Sequence, residues 1–179
     1  RFAVEGILGA GGMGVVLSAK EARGGRAVAI KVLTRLDSAE LAARFRREGQ
    51  SLTRIRHPHV VDLFELESDL ALPFMIMELL PGGSLAQRIA AGPLPVRQAA
   101  VVAGELAAGL AACHAAGVVH RDVKPSNVFA PAGGHVKLSD FGIASSATST
   151  TLTMPGEVFG TPATMAPEQV LGQVAGPPA

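Results

Sequence analysis

The spacing of apolar residues changes several times along the chain, and each change marks an element. Phe2 to Leu8 and Val15 to Ala19 are apolar and rich in β-branched residues, with the glycine-rich stretch Gly9–Gly14 between them. That order predicts a strand, a glycine turn and a second strand. After the turn Arg23-Gly24-Gly25-Arg26, a third strand is predicted over Ala27 to Leu33, and Lys31 is its only charge. The period then lengthens to that of a helix. Leu41, Phe45, Leu52 and Ile55 define an inward face behind the capping box Asp37-Ser38-Ala39-Glu40. Glu48 falls on that same face, while Arg44, Arg46 and Arg47 face solvent. His57-Pro58-His59-Val60-Val61 reads as a turn entering a fourth strand that runs through Leu66, and Phe74 to Glu78 is a fifth. Leu79-Leu80-Pro81-Gly82-Gly83 interrupts the pattern, a break that suits a hinge.

The second half is helical at first. A short helix is predicted over Ser84–Ala90. A longer one opens at Pro95 and ends before Gly117, with Leu106, Leu110 and Cys113 as its apolar stripe. Gln98 to Val119 is the most apolar window, but Glu105 and His114 interrupt it, so it reads as a buried helix rather than a membrane span. Val118-Val119 leads into the polar loop His120-Arg121-Asp122-Val123-Lys124-Pro125-Ser126-Asn127. Strand-like Val128-Phe129 follows, then the short strand Val136–Ser139 and Asp140-Phe141-Gly142. The run Ser145 to Thr153 has little structure of its own.

Sixteen Lys and Arg against fifteen Asp and Glu leave a net charge of +1, which removes the bulk electrostatic argument for a nucleic-acid or membrane-surface partner. The single cysteine, Cys113, excludes an internal disulfide, suits a reducing compartment and reads as a small core residue. The opening residues are no signal peptide, and a cytoplasmic location is expected, with a membrane anchor in a longer parent chain left open. His57 and His59 have no Cys or His cluster beside them in sequence, and a turn is preferred to a metal site.

Chemistry concentrates in a few places. A lysine inside an apolar strand and a glutamate on a core-facing helical stripe are each costly alone, and Lys31 and Glu48 supply each other's missing partner. In the polar loop, Asp122 can orient a hydroxyl and Lys124 can meet phosphate oxygens. The oxygens of Asn127 and Asp140 can hold a hard cation such as Mg²⁺. The G-x-G-x-x-G of Gly9, Gly11 and Gly14 is shared with dinucleotide-binding folds, where a helix follows; here a strand follows.

Together these strings resemble the motifs of eukaryotic-type (Hanks-type) serine/threonine protein kinases of the bacterial kind, from about Leu8 to Glu168. The resemblance implies an α+β, two-lobed protein-kinase-like fold. Residues 1–78 would form a five-stranded antiparallel N-lobe with one helix, residues 79–83 the hinge, and residues 84–179 an incomplete helical C-lobe. It implies transfer of the ATP γ-phosphoryl group to Ser or Thr hydroxyls of proteins, with Mg²⁺, or Mn²⁺ in its place, and autophosphorylation on the activation loop. By the same resemblance the nucleotide meets Leu8, Gly9, Ala10, Gly11, Gly12, Met13, Gly14, Val16 and Ala29. Further contacts fall to Lys31, Met77 as gatekeeper, the backbones of Glu78 and Leu80, Ser84 near the ribose, Phe129 and Asp140. Lys31 would bind the α- and β-phosphates and be held by Glu48. Asp122 would take the hydroxyl proton, Lys124 would steady the γ-phosphate, and Asn127 and Asp140 would bind the metal.

Residues 145–153 take the place of the activation loop, where Thr153 matches a bacterial phosphorylation position and Arg121 could meet its phosphate. Gly160-Thr161-Pro162 and Ala166-Pro167-Glu168 also match, whereas Thr164 stands where the family usually carries an aromatic residue. After Glu168 the resemblance ends. A fragment or natural truncation is therefore expected, with self-association through an uncovered long helix. The alternative is a weak or inactive kinase fragment serving as a nucleotide-binding or interaction module.

Overall fold

The computed structural model describes residues 1–11, 14–34, 39–68, 72–131, 134–141, 164–170 and 176. It divides into two units, Arg1–Ile55 with Val61–Leu80, and Arg56–Val60 with Pro81–Ala179.

The first unit is built on a five-stranded antiparallel sheet. Its strands are β1 (Phe2–Gly11), β2 (Gly14–Glu21), β3 (Ala27–Leu33), β4 (Leu63–Glu67) and β5 (Phe74–Glu78), in the order β1-β2-β3-β5-β4. Register decides which residues share a face. Ala19 stands opposite Val28, Leu17 opposite Ile30, and Ile30 opposite Ile76. These residues, with Phe2, Val32, Phe64 and Phe74, form one hydrophobic core. Each such side chain, fully buried, is worth about 1.5–3 kcal/mol. The other face carries Val16, Ala29, Lys31, Met75 and Met77, because Val16 pairs with Lys31, Lys31 with Met75 and Ala29 with Met77.

The helix α1 (Ala39–Leu52) buries Phe45 and Leu52, and Ile55 just past its end is buried as well. It comes so near β4 that a Cβ added to Gly49 would stand 2.6 Å from the Leu66 side chain. Leu66 pairs with Met75, which pairs with Lys31, so α1 lies over the face that carries Lys31. Arg46 and Arg47 are exposed, as their place opposite the apolar stripe requires. The capping residue Asp37 and the side chains of Leu41 and Arg44 lie outside the described residues.

The second unit contains α2 (Leu85–Ala90), α3 (Val96–Ala115), the paired strands β6 (Val128–Phe129) and β7 (Lys137–Leu138), and α4 (Pro167–Val170). Ser84 lies just before α2 as its N-cap, in a complete capping box. The Gln87 N–H donates to Ser84 Oγ at 3.3 Å, and the Ser84 N–H donates to Gln87 Oε1 at 2.9 Å. Pro95 stands as the N-cap of α3. Gly117, at φ 74°, ends it in the left-handed conformation that glycine adopts without strain.

Two expectations need correction. The long helix forms, yet among its residues only Gly109 and Cys113 are buried, and Val96 and Val101 are 87% and 53% exposed. Helical spacing specifies a stripe; it does not specify how much of the stripe is covered. By length and composition α3 could cross a membrane, as the core helix of a soluble protein also could. The fourth strand begins at Leu63, because Val60 is taken by a separate bridge to Leu138 in the second unit.

Candidate active site

The polar loop after α3 is held by its own side chains. Asn127 is buried at the end of a 3-10 turn, Pro125–Asn127, and its Nδ2 donates to both the Asp122 carbonyl and Asp122 Oδ2, each at 2.9 Å. Lys124 Nζ is 2.8 Å from the same Oδ2. Two donors on one carboxylate oxygen fix the plane of Asp122, and Oδ1 is its other acceptor oxygen. The Asn127 amide likewise spends its nitrogen on Asp122, which leaves Oδ1 as an oxygen donor.

This loop is tied to Asp140 through a residue whose role is invisible in the sequence. His120 is fully buried. Its Nδ1 accepts the Asp122 N–H at 3.2 Å, and its Nε2 donates to the Ser139 carbonyl at 2.9 Å, so the ring is neutral with its proton on Nε2. Ser139 answers with its N–H at 2.9 Å and its Oγ at 3.2 Å, both donated to the Asn127 carbonyl. The ring of Phe141 packs on His120 with centroids 4.5 Å apart. Buried polar groups satisfied this completely act as rigid spacers. The spacer here runs from Asp122 and Asn127 to the residue beside Asp140. Arg121 (φ 65°) and Asp140 (φ 54°) are the non-glycine residues in the left-handed region among those described. Each such residue stores on the order of 1–3 kcal/mol, and such strain gathers at functional sites. Gln169 Nε2, from α4, donates to the Arg121 carbonyl at 2.8 Å, a contact no motif announces.

Most of the residues expected to meet a nucleotide lie in the first unit on β1, β2, β3 and β5, or just past β5. Leu8, Gly9, Ala10 and Gly11 end β1, Gly14 opens β2, and Gly9 pairs with Val16. Ala29, Lys31 and Met77 share the face described above, with Glu78 ending β5 and Leu80 following it. Lys31 and Glu48 are both half-buried, and α1 lies over the face on which Lys31 sits. Phe129 belongs to the second unit, on β6, as does Ser84, whose hydroxyl caps α2. Gly12, Met13, Gly142, Thr153 and Gly160-Thr161-Pro162 lie outside the described residues. Thr164 is exposed. Cys113 is buried and its thiol pKa is pushed up to about 11 by burial, which leaves it a packing residue and no nucleophile.

A five-stranded antiparallel sheet with one helix, and a second unit in which an aspartate, a lysine and an asparagine share one hydrogen-bonded loop, define a protein-kinase-like fold. The chain belongs to the protein kinase domain family, which it matches over residues 2–179. It is 39% identical over 176 residues to the probable serine/threonine-protein kinase pknA2 of Bifidobacterium longum, covering 95% of this chain and 23% of that protein. It is 36% identical over 179 residues to the serine/threonine-protein kinase PrkC of Bacillus subtilis, covering 98% of this chain and 28% of that one. Among solved structures, the PknI kinase domain of Mycobacterium tuberculosis superposes with a TM-score of 0.77 at 27% identity, over 97% of this chain and 65% of that one. The chain thus spans about a quarter of the length of these curated relatives.

Proposed function

We propose that this chain is the catalytic part of a serine/threonine protein kinase that transfers the γ-phosphoryl group of ATP to a protein hydroxyl. The observation that carries this reading is the Asp122 carboxylate, held at Oδ2 by Lys124 and Asn127 with Oδ1 left to a substrate hydroxyl. Asp122 orients that hydroxyl and takes up its proton. Lys124, already beside the carboxylate, offers its remaining N–H groups to a transferring phosphate oxygen. Asn127 Oδ1 and the Asp140 carboxylate are oxygen donors of the type Mg²⁺ or Mn²⁺ accepts, and they would hold the ion. When bound, the ion supplies charge neutralisation for the phosphates. The left-handed backbone at Asp140 and the His120–Ser139 hydrogen bond beside it support that role. In the first unit, Lys31 binds the α- and β-phosphates and Glu48 holds it, a pairing supported by the position of α1. The glycine segment 9–14 covers the phosphates, and Val16, Ala29 and Met77 supply apolar contact for the base. The protein substrates are Ser/Thr-containing chains, and a cytoplasmic site of action follows from the need for ATP.

The test separates proton transfer from nucleotide binding. Asp122→Asn is expected to lower phosphoryl transfer by about 100- to 10,000-fold with ATP affinity nearly unchanged, because its role belongs to the transition state. Asp140→Asn is expected to weaken Mg²⁺-dependent ATP binding. Equal loss of ATP affinity in both variants would contradict the assigned roles.

A further inference from the structure

Away from the catalytic loop, three metal-ligating side chains distant in sequence meet within the second unit. His59 comes from the turn 57–60, Glu105 from α3 and His135 from the loop before β7. Each offers one ligand atom, and these atoms all lie within 4.8 Å of one another. Glu105 Oε1 accepts from His135 Nδ1 at 2.7 Å, and Oε2 is 3.8 Å from His59 Nδ1. Tetrahedral coordination at about 2.0–2.1 Å sets ligand atoms about 3.3 Å apart, so small side-chain movements are enough. His135 is 70% exposed and has the freedom to make them, while His59 and Glu105 are largely covered and form the fixed wall. His59 Nδ1 now donates to the Val136 carbonyl at 3.1 Å, a bond that an ion on that nitrogen replaces, and Glu105 Oε2 also accepts the Val136 N–H at 2.9 Å. The Val136 N–H on Glu105 is an outer contact of the type that orients a metal ligand.

We infer that His59, Glu105 and His135 form a binding site for a divalent transition-metal ion of the zinc class, with a fourth position open to water. Two imidazoles and one carboxylate suit Zn²⁺, Co²⁺ or Ni²⁺ over the all-oxygen preference of Mg²⁺. The sequence argument against a metal at His57-Pro58-His59 rested on the lack of neighbouring ligands. The fold supplies them from α3 and from the segment leading to β7. On binding, the ion takes the place of the Nδ1 proton that His135 now shares with Oε1, and the neutral ring keeps its one proton by carrying it on Nε2. The ion then ties the loop before β7 to α3 and to the turn at His59, whose carbonyl already accepts the Leu138 N–H at 2.9 Å. β7 leads directly to Ser139 and Asp140, so the clamp lies on the segment that positions the phosphate-side carboxylate.

The experiment is a Co²⁺ titration of the purified, untagged chain in excess Mg²⁺, which occupies oxygen-only sites, followed by visible absorption. The expected result is one equivalent of Co²⁺ with the intense bands of four-coordinate nitrogen and oxygen ligation, displaced by stoichiometric Zn²⁺. His135→Ala, at an exposed position that does not threaten folding, and Glu105→Gln should each weaken binding at least about tenfold. Zn²⁺ should raise the unfolding temperature of the wild type and leave that of His135→Ala unmoved. Only the weak bands of octahedral Co²⁺, or affinity unchanged in His135→Ala, would overturn the site. Loss in His135→Ala with full retention in Glu105→Gln would overturn the three-ligand assignment.

Discussion

Gly14 shows how one missing side chain can set both stability and chemistry. Its φ is 149°, and a Cβ there would stand 1.9 Å from the Val32 carbonyl oxygen on β3. Backbone is the obstacle, so Gly14→Ala must push β2 away from the strand that carries Lys31. The cost expected is about 1–3 kcal/mol of unfolding free energy, with weaker ATP binding alongside. Gly9 and Gly11 give the contrast, since a Cβ at either would meet nothing within 4 Å. Their alanine variants are expected to keep wild-type stability, and any loss of ATP affinity would then belong to the approach of phosphates. Denaturant unfolding and nucleotide titration of the three variants check this, and a Gly14→Ala protein as stable as wild type would contradict it. The glycine pattern was plain in the sequence, but which glycine is sterically required was not. That depends on Val32, a residue on another strand. His120 makes the same point. Its sequence shows only a histidine two places before Asp122, whereas its buried ring joins Asp122 to Ser139.

At the scale of elements, the bounds of β3 and β5 match the apolar runs that predict them, and α3 starts and stops at Pro95 and Gly117 as expected. Strand and helix periods are local properties, so they can be read locally. Two things depend on distant partners and could not be: the start of β4, decided by the Val60–Leu138 bridge, and the burial of α3. The same dependence separates two readings of Ser84. The resemblance assigns it to a ribose, while its Oγ accepts the Gln87 N–H and caps α2. Ser84→Ala is expected to cost about 0.5–2 kcal/mol of stability. Gln87→Ala should cost less, and the double variant should fall short of their sum, because the two form one capping box. A double-mutant cycle by denaturant unfolding measures the coupling. Full additivity, together with an ATP affinity that falls only in Ser84→Ala, would favour the ribose role over the cap.

For the whole molecule, the question is what the exposed apolar surface does in water. α3 presents Val96 and Val101, and α2 presents Ile89 at 44% exposure. His114 on α3 also has a buried Nε2 without a hydrogen-bond partner among the described residues. Covering a few hundred Å² of apolar surface is worth several kcal/mol at about 25 cal/mol per Å², comparable to the net stability of an ordinary domain. With a net charge of only +1, long-range repulsion does little to keep copies apart. The purified chain is therefore expected to associate in a concentration-dependent way through α3. Val96→Glu combined with Val101→Glu should shift it toward monomer without lowering the unfolding free energy by more than about 0.5 kcal/mol, as both side chains already face solvent. Sedimentation across a hundredfold range of concentration reads the outcome directly. A wild-type chain that stays monomeric throughout, or association that both glutamates leave unchanged, would remove α3 as the adhesive face.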